Sequence, residues 1–273
     1  MDYSEELAVA HRAAIEAGEI MDDRVGVDFR SAVDTAEKSA TNDLVTAVDR
    51  ACQEQIVETI VASYPEDAIV SEEDERASAT GTGREWIVDP IDGTSNFATG
   101  FPYFCVSIAL RVDGEERVGV IHSPEAALDR TWYAVAGEGA FRSHDTTLDG
   151  EPISVSGHDS LEGATVHARM SERSATRRAR DFGVVTALME RGAKLRRTAS
   201  TALNLCHVAE GSADGYVVLS SNAWDYAAGS LIVSEAGGTV RLQSASAMDM
   251  EVVASSGTIQ SDLEVIVTSV TGR

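Results

Sequence analysis

The sequence predicts a mixed α+β / α/β fold in two halves, an antiparallel sheet under two helices and then an alternating α/β half. Three observations predict it: helical periodicity over the first 64 residues, β-like runs between 104 and 135, and alternation of strands and helices after about Gly157. Ser4 to Met21 carries an apolar stripe of Leu7, Val9, Ala13, Ala14, Ala17 and Ile20, the buried face of an amphipathic helix. Asp43 to Tyr64 is a second helix, stopped by Pro65. Asp67 to Asp74 reads as a short apolar strand running into acids, and Trp86 to Asp89 as another. Phe104 to Val112, Arg117 to His122 and Arg130 to Val135 are β-like, with Asp113-Gly114 as a hairpin turn between the first two. In the second half Thr165 to His167, Leu195 to Arg197 and Tyr216 to Leu219 read as strands. Between and after them come helices from Ser174 to Arg191, from Thr201 to Gly211, and from about Asp225 to the Gly237-Gly238 pair. The sheet of this half is predicted to be partly parallel. There is no linker or repeat, and the halves are set at 1–156 and 157–273.

Composition fits one compact chain. With 273 residues, 43% of them hydrophobic, it can bury a large core. No apolar run approaches the roughly 18 residues of a membrane span. The start Met1-Asp2-Tyr3-Ser4-Glu5-Glu6 lacks the basic segment of a signal peptide, so a cytoplasmic protein without a membrane partner is expected. Cys52, Cys105 and Cys206 are odd in number and far apart, and suggest neither a disulfide frame nor a thiolate zinc site. The scattered histidines read as surface or core residues.

There are 45 acids against 22 bases, a net charge of −23, and Lys38 and Lys194 are the only lysines. Such a surface repels nucleic acid. It suits a halophilic cytoplasm, because molar salt shortens the Debye length to about 3 Å and removes most self-repulsion.

The most informative stretch is Trp86-Ile87-Val88-Asp89-Pro90-Ile91-Asp92-Gly93-Thr94, where an apolar strand delivers two acids into a Pro/Gly turn. Pro90 cannot donate to a sheet and Gly93 permits a turn that other residues resist, so Asp89, Asp92 and the Ile91 carbonyl can converge on a cation. Thr94 follows where a short helix can begin. Alone, an Asp-Gly pair is equally a plain turn. Glu72, at the end of the upstream strand, is a candidate third ligand. Asp225 also serves as a helix cap, and Asp49 also as a solvated face residue.

Together these segments resemble the inositol monophosphatase family of metal-dependent sugar phosphatases, which includes archaeal fructose-1,6-bisphosphatases. The resemblance runs from Asp43 to Gly238. It implies a layered αβαβα sandwich with the site in the cleft between the halves, and a homodimer. It further implies Glu72, Asp89, Asp92 and Asp225 as metal-binding carboxylates, with Ile91 giving its carbonyl. Thr94 and Asp49 become the pair that orients the attacking water, with Glu72 also placed to act on it, and Glu73 lies behind the ligands. Gly93 and Thr94 face the phosphate. Arg197-Thr198-Ala199-Ser200-Thr201-Ala202 matches the family's substrate loop, although Ser200 stands where glycine is commoner.

Oxygen ligands without thiolate or imidazole select a hard cation, Mg²⁺ first and Mn²⁺ as a substitute. Two or more ions would neutralise the carboxylates and clamp attacking and leaving oxygens in an in-line displacement. The implied substrate is a small phosphorylated sugar or polyol, inositol monophosphate or fructose 1,6-bisphosphate. Ser95-Asn96-Phe97 departs from the nucleotide 3′-phosphatase branch, which tends to have lysine directly after the threonine. Val218 stands where inositol phosphatases place a glutamate for sugar hydroxyls. Arg169, Arg173, Arg177, Arg178 and Arg180 form a basic patch, and Arg169 and Arg173 are the candidates to read a second phosphate. The patch is equally a set of helix-surface arginines balancing nearby acids. A non-catalytic metal- or phosphate-binding protein is the other alternative; an intact Thr94 and Asp49 argue against it.

Overall fold

The computed structural model describes residues 2–24, 38–72, 81–144, 147–170, 174–245 and 250–272. Among the described residues two helices open the chain, α1 (Ser4–Asp22) and α2 (Lys38–Ser63). On α1 the buried positions Val9, Ala10, Ala13, Ala14, Ala17 and Met21 recur at three- and four-residue spacing, and on α2 Val48, Cys52, Ile56 and Ile60 do the same. The second helix begins at Lys38, ahead of the Asp43 read from the sequence, because periodicity marks a buried face and not a helix's first turn.

Seven strands follow in sheet order: β1 (Ala68–Ser71), β2 (Arg84–Asp92), β3 (Cys105–Val112), β4 (Glu115–Ser123), β5 (Arg130–Val135), β6 (Gly139–Ser143) and β7 (Glu151–Pro152). Among the described residues of this sheet β1 and β2 pair in parallel and the other neighbours antiparallel. The β3–β4 hairpin turns on Asp113 and Gly114 with φ of 53° and 87°, the left-handed pair that a two-residue hairpin needs. A short helix, α3 (Thr94–Thr99), interrupts the run between β2 and β3.

The second half contains β8 (Thr165–Ala168), α4 (Ala175–Glu190), β9 (Lys194–Arg196), α5 (Thr201–Ala209), β10 (Gly215–Ser221), α6 (Ala223–Glu235), β11 (Thr239–Ser244), β12 (Met250–Ser255) and α7 (Gln260–Thr271). Its sheet has the order β11-β12-β10-β8-β9. Strands β8, β9 and β10 are parallel and β11 and β12 antiparallel, so the expected partly parallel sheet is present.

The expected αβαβα order is also present. α1 and α2 cover one face of the first sheet, α5 and α6 fill the space between the sheets, and α4 and α7 cover the outer face of the second. Gly119 on β4 makes the central contact close: a Cβ there would lie 2.8 Å from the Ala228 carbonyl oxygen of α6. That approach matters because α6 carries Asp225. Strands β6, β7, β11 and β12 and helix α7 were not read from the sequence, and the helix expected to reach Gly211 ends at Ala209. Among the described residues no helix is long and apolar enough to cross a membrane.

Candidate metal centre

Strand β2 is buried on both faces from Trp86 to Asp92, since α2 lies on one side of it and α6 on the other. Its pairing with β3 breaks between Asp89 and Asp92, where Pro90 has no N–H to give. The break turns both acids the same way. Asp89 Oδ1 accepts from the Ile91 N–H at 3.1 Å, and the Thr94 hydroxyl donates to the Ile91 carbonyl at 2.9 Å. Gly93 has φ of 98°, and a Cβ on it would sit 2.9 Å from the Tyr103 carbonyl oxygen, so the turn requires glycine.

Asp225 arrives from the other half as the third residue of α6. Its Oδ2 accepts from the Asn222 N–H at 3.1 Å, closing a capping box, and from the Ser221 hydroxyl at 2.8 Å. The cap and cluster roles therefore coincide. Asp89, Asp92 and Asp225, all buried, each offer one oxygen, and these oxygens lie within 4.8 Å of one another.

Burial pushes the Asp89 carboxyl well above the usual carboxylate range, and the charges of Glu72, Asp92, Asp225 and Asp49 push the same way. Asp92 rises to about 6 through burial and Asp225; bonds from Ser200 and Ala202 and the Arg169 charge hold it back. Three carboxylates this close, in a protein interior, want a cation. Burial raises the thiol of nearby Cys105 well above its ordinary value, and among the described residues the cluster is made of carboxylates alone. The donor set is oxygen only and fits Mg²⁺ or Mn²⁺.

Of the other sequence candidates, Glu72 is exposed just beyond β1, outside the three-carboxylate cluster though close enough to bear on Asp89. Asp49 is buried on α2. Ser200, Thr201 and Ala202 are buried, and they meet side chains of this chain where the sequence reading gave them substrate. The Ser200 hydroxyl and the Ala202 N–H both donate to Asp92 Oδ2, at 2.7 and 2.6 Å, and Thr201 Oγ1 bonds the Tyr216 hydroxyl at 2.9 Å. Arg169 is an ion-pair partner of Asp225, with Nη1 3.2 Å from Oδ2. Arg173 and Glu73 lie outside the described residues.

A cavity of about 400 Å³ opens beside the cluster, with Asp225 and Val218 in its wall. Arg169, Arg177, Arg180 and Arg197 line it, together with the acids Asp181 and Glu251. Arg178 is not in its wall. Arg197, which opens the segment matched to the substrate loop, lines the cavity as well. Sequence reasoning gave Asn96 no role in the site, yet its amide donates to the Tyr103 and Thr198 carbonyls at 2.7 Å each and so ties α3 to the loop before α5. No local pattern announces a bond across 102 residues.

Residues 2–269 match the family model described as the inositol monophosphatase family. The chain is 38% identical over 234 residues to the Nus factor SuhB of Haemophilus influenzae, covering 86% of this chain and 84% of that one. It is 35% identical to the Nus factor SuhB of Escherichia coli K12 over the same shares. The solved inositol monophosphatase of Anabaena (Nostoc) sp. PCC 7120 superposes with a TM-score of 0.81 at 28% identity, covering 98% of this chain and 97% of that one. An IMPase of Thermotoga maritima superposes with a TM-score of 0.79 at 30% identity, over 98% of both chains.

Proposed function

The chain belongs to the inositol monophosphatase family of metal-dependent phosphatases, and on that premise we propose that it hydrolyses small sugar or polyol phosphate monoesters, inositol 1-phosphate and fructose 1,6-bisphosphate foremost. The convergence of Asp89, Asp92 and Asp225 from two halves of the chain is the observation that carries the reading. In it Asp89, Asp92, Asp225, Glu72 and the Ile91 carbonyl hold the cations. Bound Mg²⁺, two ions with Mn²⁺ as substitute, supplies the Lewis acidity and charge neutralisation that an in-line displacement at phosphorus needs. Thr94 and Asp49 orient the attacking water and take its proton; the packing of α3 on α2 supports that pairing. Gly93 and Thr94 meet the phosphate being cleaved. No serine, cysteine or histidine nucleophile is required.

The arginines of the cavity support an anionic or polyhydroxylated substrate. Ser95 directly after Thr94 sets the chain apart from a nucleotide 3′-phosphatase. The net charge of −23 and the near-absence of lysine support work in concentrated salt and oppose direct contact with nucleic acid. A homodimer is part of the same proposal.

A second reading draws on the relatives named Nus factor SuhB, whose name gives them a role apart from phosphate hydrolysis. On that reading this chain is a binding protein. Phosphate release from a panel of inositol 1-phosphate, fructose 1,6-bisphosphate and a nucleoside 3′-phosphate, with and without Mg²⁺, separates the readings: the phosphatase releases phosphate only with Mg²⁺, the binding protein in neither condition.

A further inference from the structure

Ser200 is fully buried at the start of α5, where it has two tasks. As the N-cap its Oγ accepts from the Leu203 N–H at 3.2 Å, and it donates its own proton to Asp92 Oδ2 at 2.7 Å. The Ala202 N–H donates to the same oxygen at 2.6 Å. A carboxylate rotates easily about its last torsion. Two donors on one oxygen remove that freedom and leave the other oxygen as the one Asp92 has to give.

We propose that Ser200 is a positioning residue: it locks the Asp92 carboxylate so that Oδ1 faces the cation. The inference rests on the metal-dependent reading above and adds a role for a residue expected to touch substrate. Residues that orient a metal ligand in this way typically contribute 10- to 100-fold in metal affinity when removed. Because the Ala202 N–H remains in any side-chain variant, a loss of about tenfold is expected here, at the low end of that range.

A plain N-cap role predicts something else. Ser200→Ala would lower the Tm by about 2 to 4 °C without touching metal affinity. Glycine is nearly as good an N-cap as serine, so Ser200→Gly removes the bond to Asp92 while sparing the cap. The test is calorimetric titration of Mg²⁺ into the metal-stripped full-length chain, with Tm measured on the same samples. Ser200→Gly is expected to bind Mg²⁺ about tenfold more weakly at a near wild-type Tm, and Ser200→Thr, which keeps a hydroxyl, to recover most of the affinity. Wild-type affinity in Ser200→Gly overturns the inference alone. A wild-type protein that takes up no Mg²⁺ overturns the metal reading and this inference with it.

Discussion

The Arg169 guanidinium donates to Asp225 Oδ2 at 3.2 Å, joining the end of β8 to the first turn of α6. The arginine expected from sequence to read a distant phosphate is therefore bound to the acid cluster itself. Arg177 and Arg180, on α4, line the same cavity farther along the chain.

Neutralising the two groups should have different effects. Arg169→Gln disturbs Asp225 and should lower kcat/KM for inositol 1-phosphate and fructose 1,6-bisphosphate alike, by about 10- to 100-fold, the value of a charged hydrogen bond. The double variant Arg177→Gln, Arg180→Gln should lose about tenfold on the bisphosphate and little on the monophosphate, and less in molar salt. Parallel steady-state kinetics on both substrates check this; an Arg169→Gln protein impaired only on the bisphosphate would contradict it.

Asp89 makes a prediction about stability without metal. Its carboxyl is raised by burial and by Glu72, so between the unfolded value near 4 and its folded value the folded chain holds the extra proton. Metal-free stability from this group is therefore present at low pH and lost as pH rises. Asp89→Asn should remove that slope and raise the metal-free Tm at pH 7 by about 2 to 4 °C, since relieving one close like-charge contact gives about 1 kcal/mol even in a water-like dielectric. Mg²⁺ should stabilise the wild type and not the variant. Thermal unfolding with chelator and with Mg²⁺ measures both effects, and a variant less stable than wild type under chelator would refute the repulsion argument.

Two histidines give the opposite slope. Burial lowers His122, beside His11, to about 4, and burial lowers His167, beside His207, to about 4. The unfolded chain takes up protons from pH 6.5 downward that the folded chain refuses, so stability is lost as pH falls from 6.5 towards 4 and then levels off. Each contributes up to about 3 kcal/mol across that window. Urea unfolding between pH 7 and pH 4 should show a shallower fall for His122→Gln than for wild type; equal slopes would mean that His122 charges freely in the folded protein.

Most helices, the hairpin and the aspartate turn were legible because each is local, whereas the layer order was implied by the family resemblance. Apolar spacing marks a buried helix face, and only a few side chains suit a strand that ends in a Pro/Gly turn. The misses have physical reasons too. Asp67, just before β1, accepts from Trp86 Nε1 at 2.9 Å and pairs with Arg84 at 3.0 Å, a tie to β2 that no local pattern shows. Ser200 was assigned to substrate by the family resemblance, and its bond to Asp92 exists only because the fold brings residues 108 apart together. Asp225 shows the same limit: sequence marks a cap, and the position of α6 between the two sheets sets that cap beside β2.

The central claim is that Asp89, Asp92 and Asp225 form a working metal centre, and phosphate release from the metal-stripped protein tests it most directly. Inositol 1-phosphate and fructose 1,6-bisphosphate are supplied in turn, first with chelator and then with Mg²⁺, to wild type and to Asp92→Asn. The account predicts no release under chelator, recovery with Mg²⁺, and a loss of at least ~10²-fold in kcat/KM for Asp92→Asn, equivalent to about 2.7 kcal/mol. Hydrolysis at the original rate without metal, or near-normal turnover and metal affinity in Asp92→Asn, would contradict it.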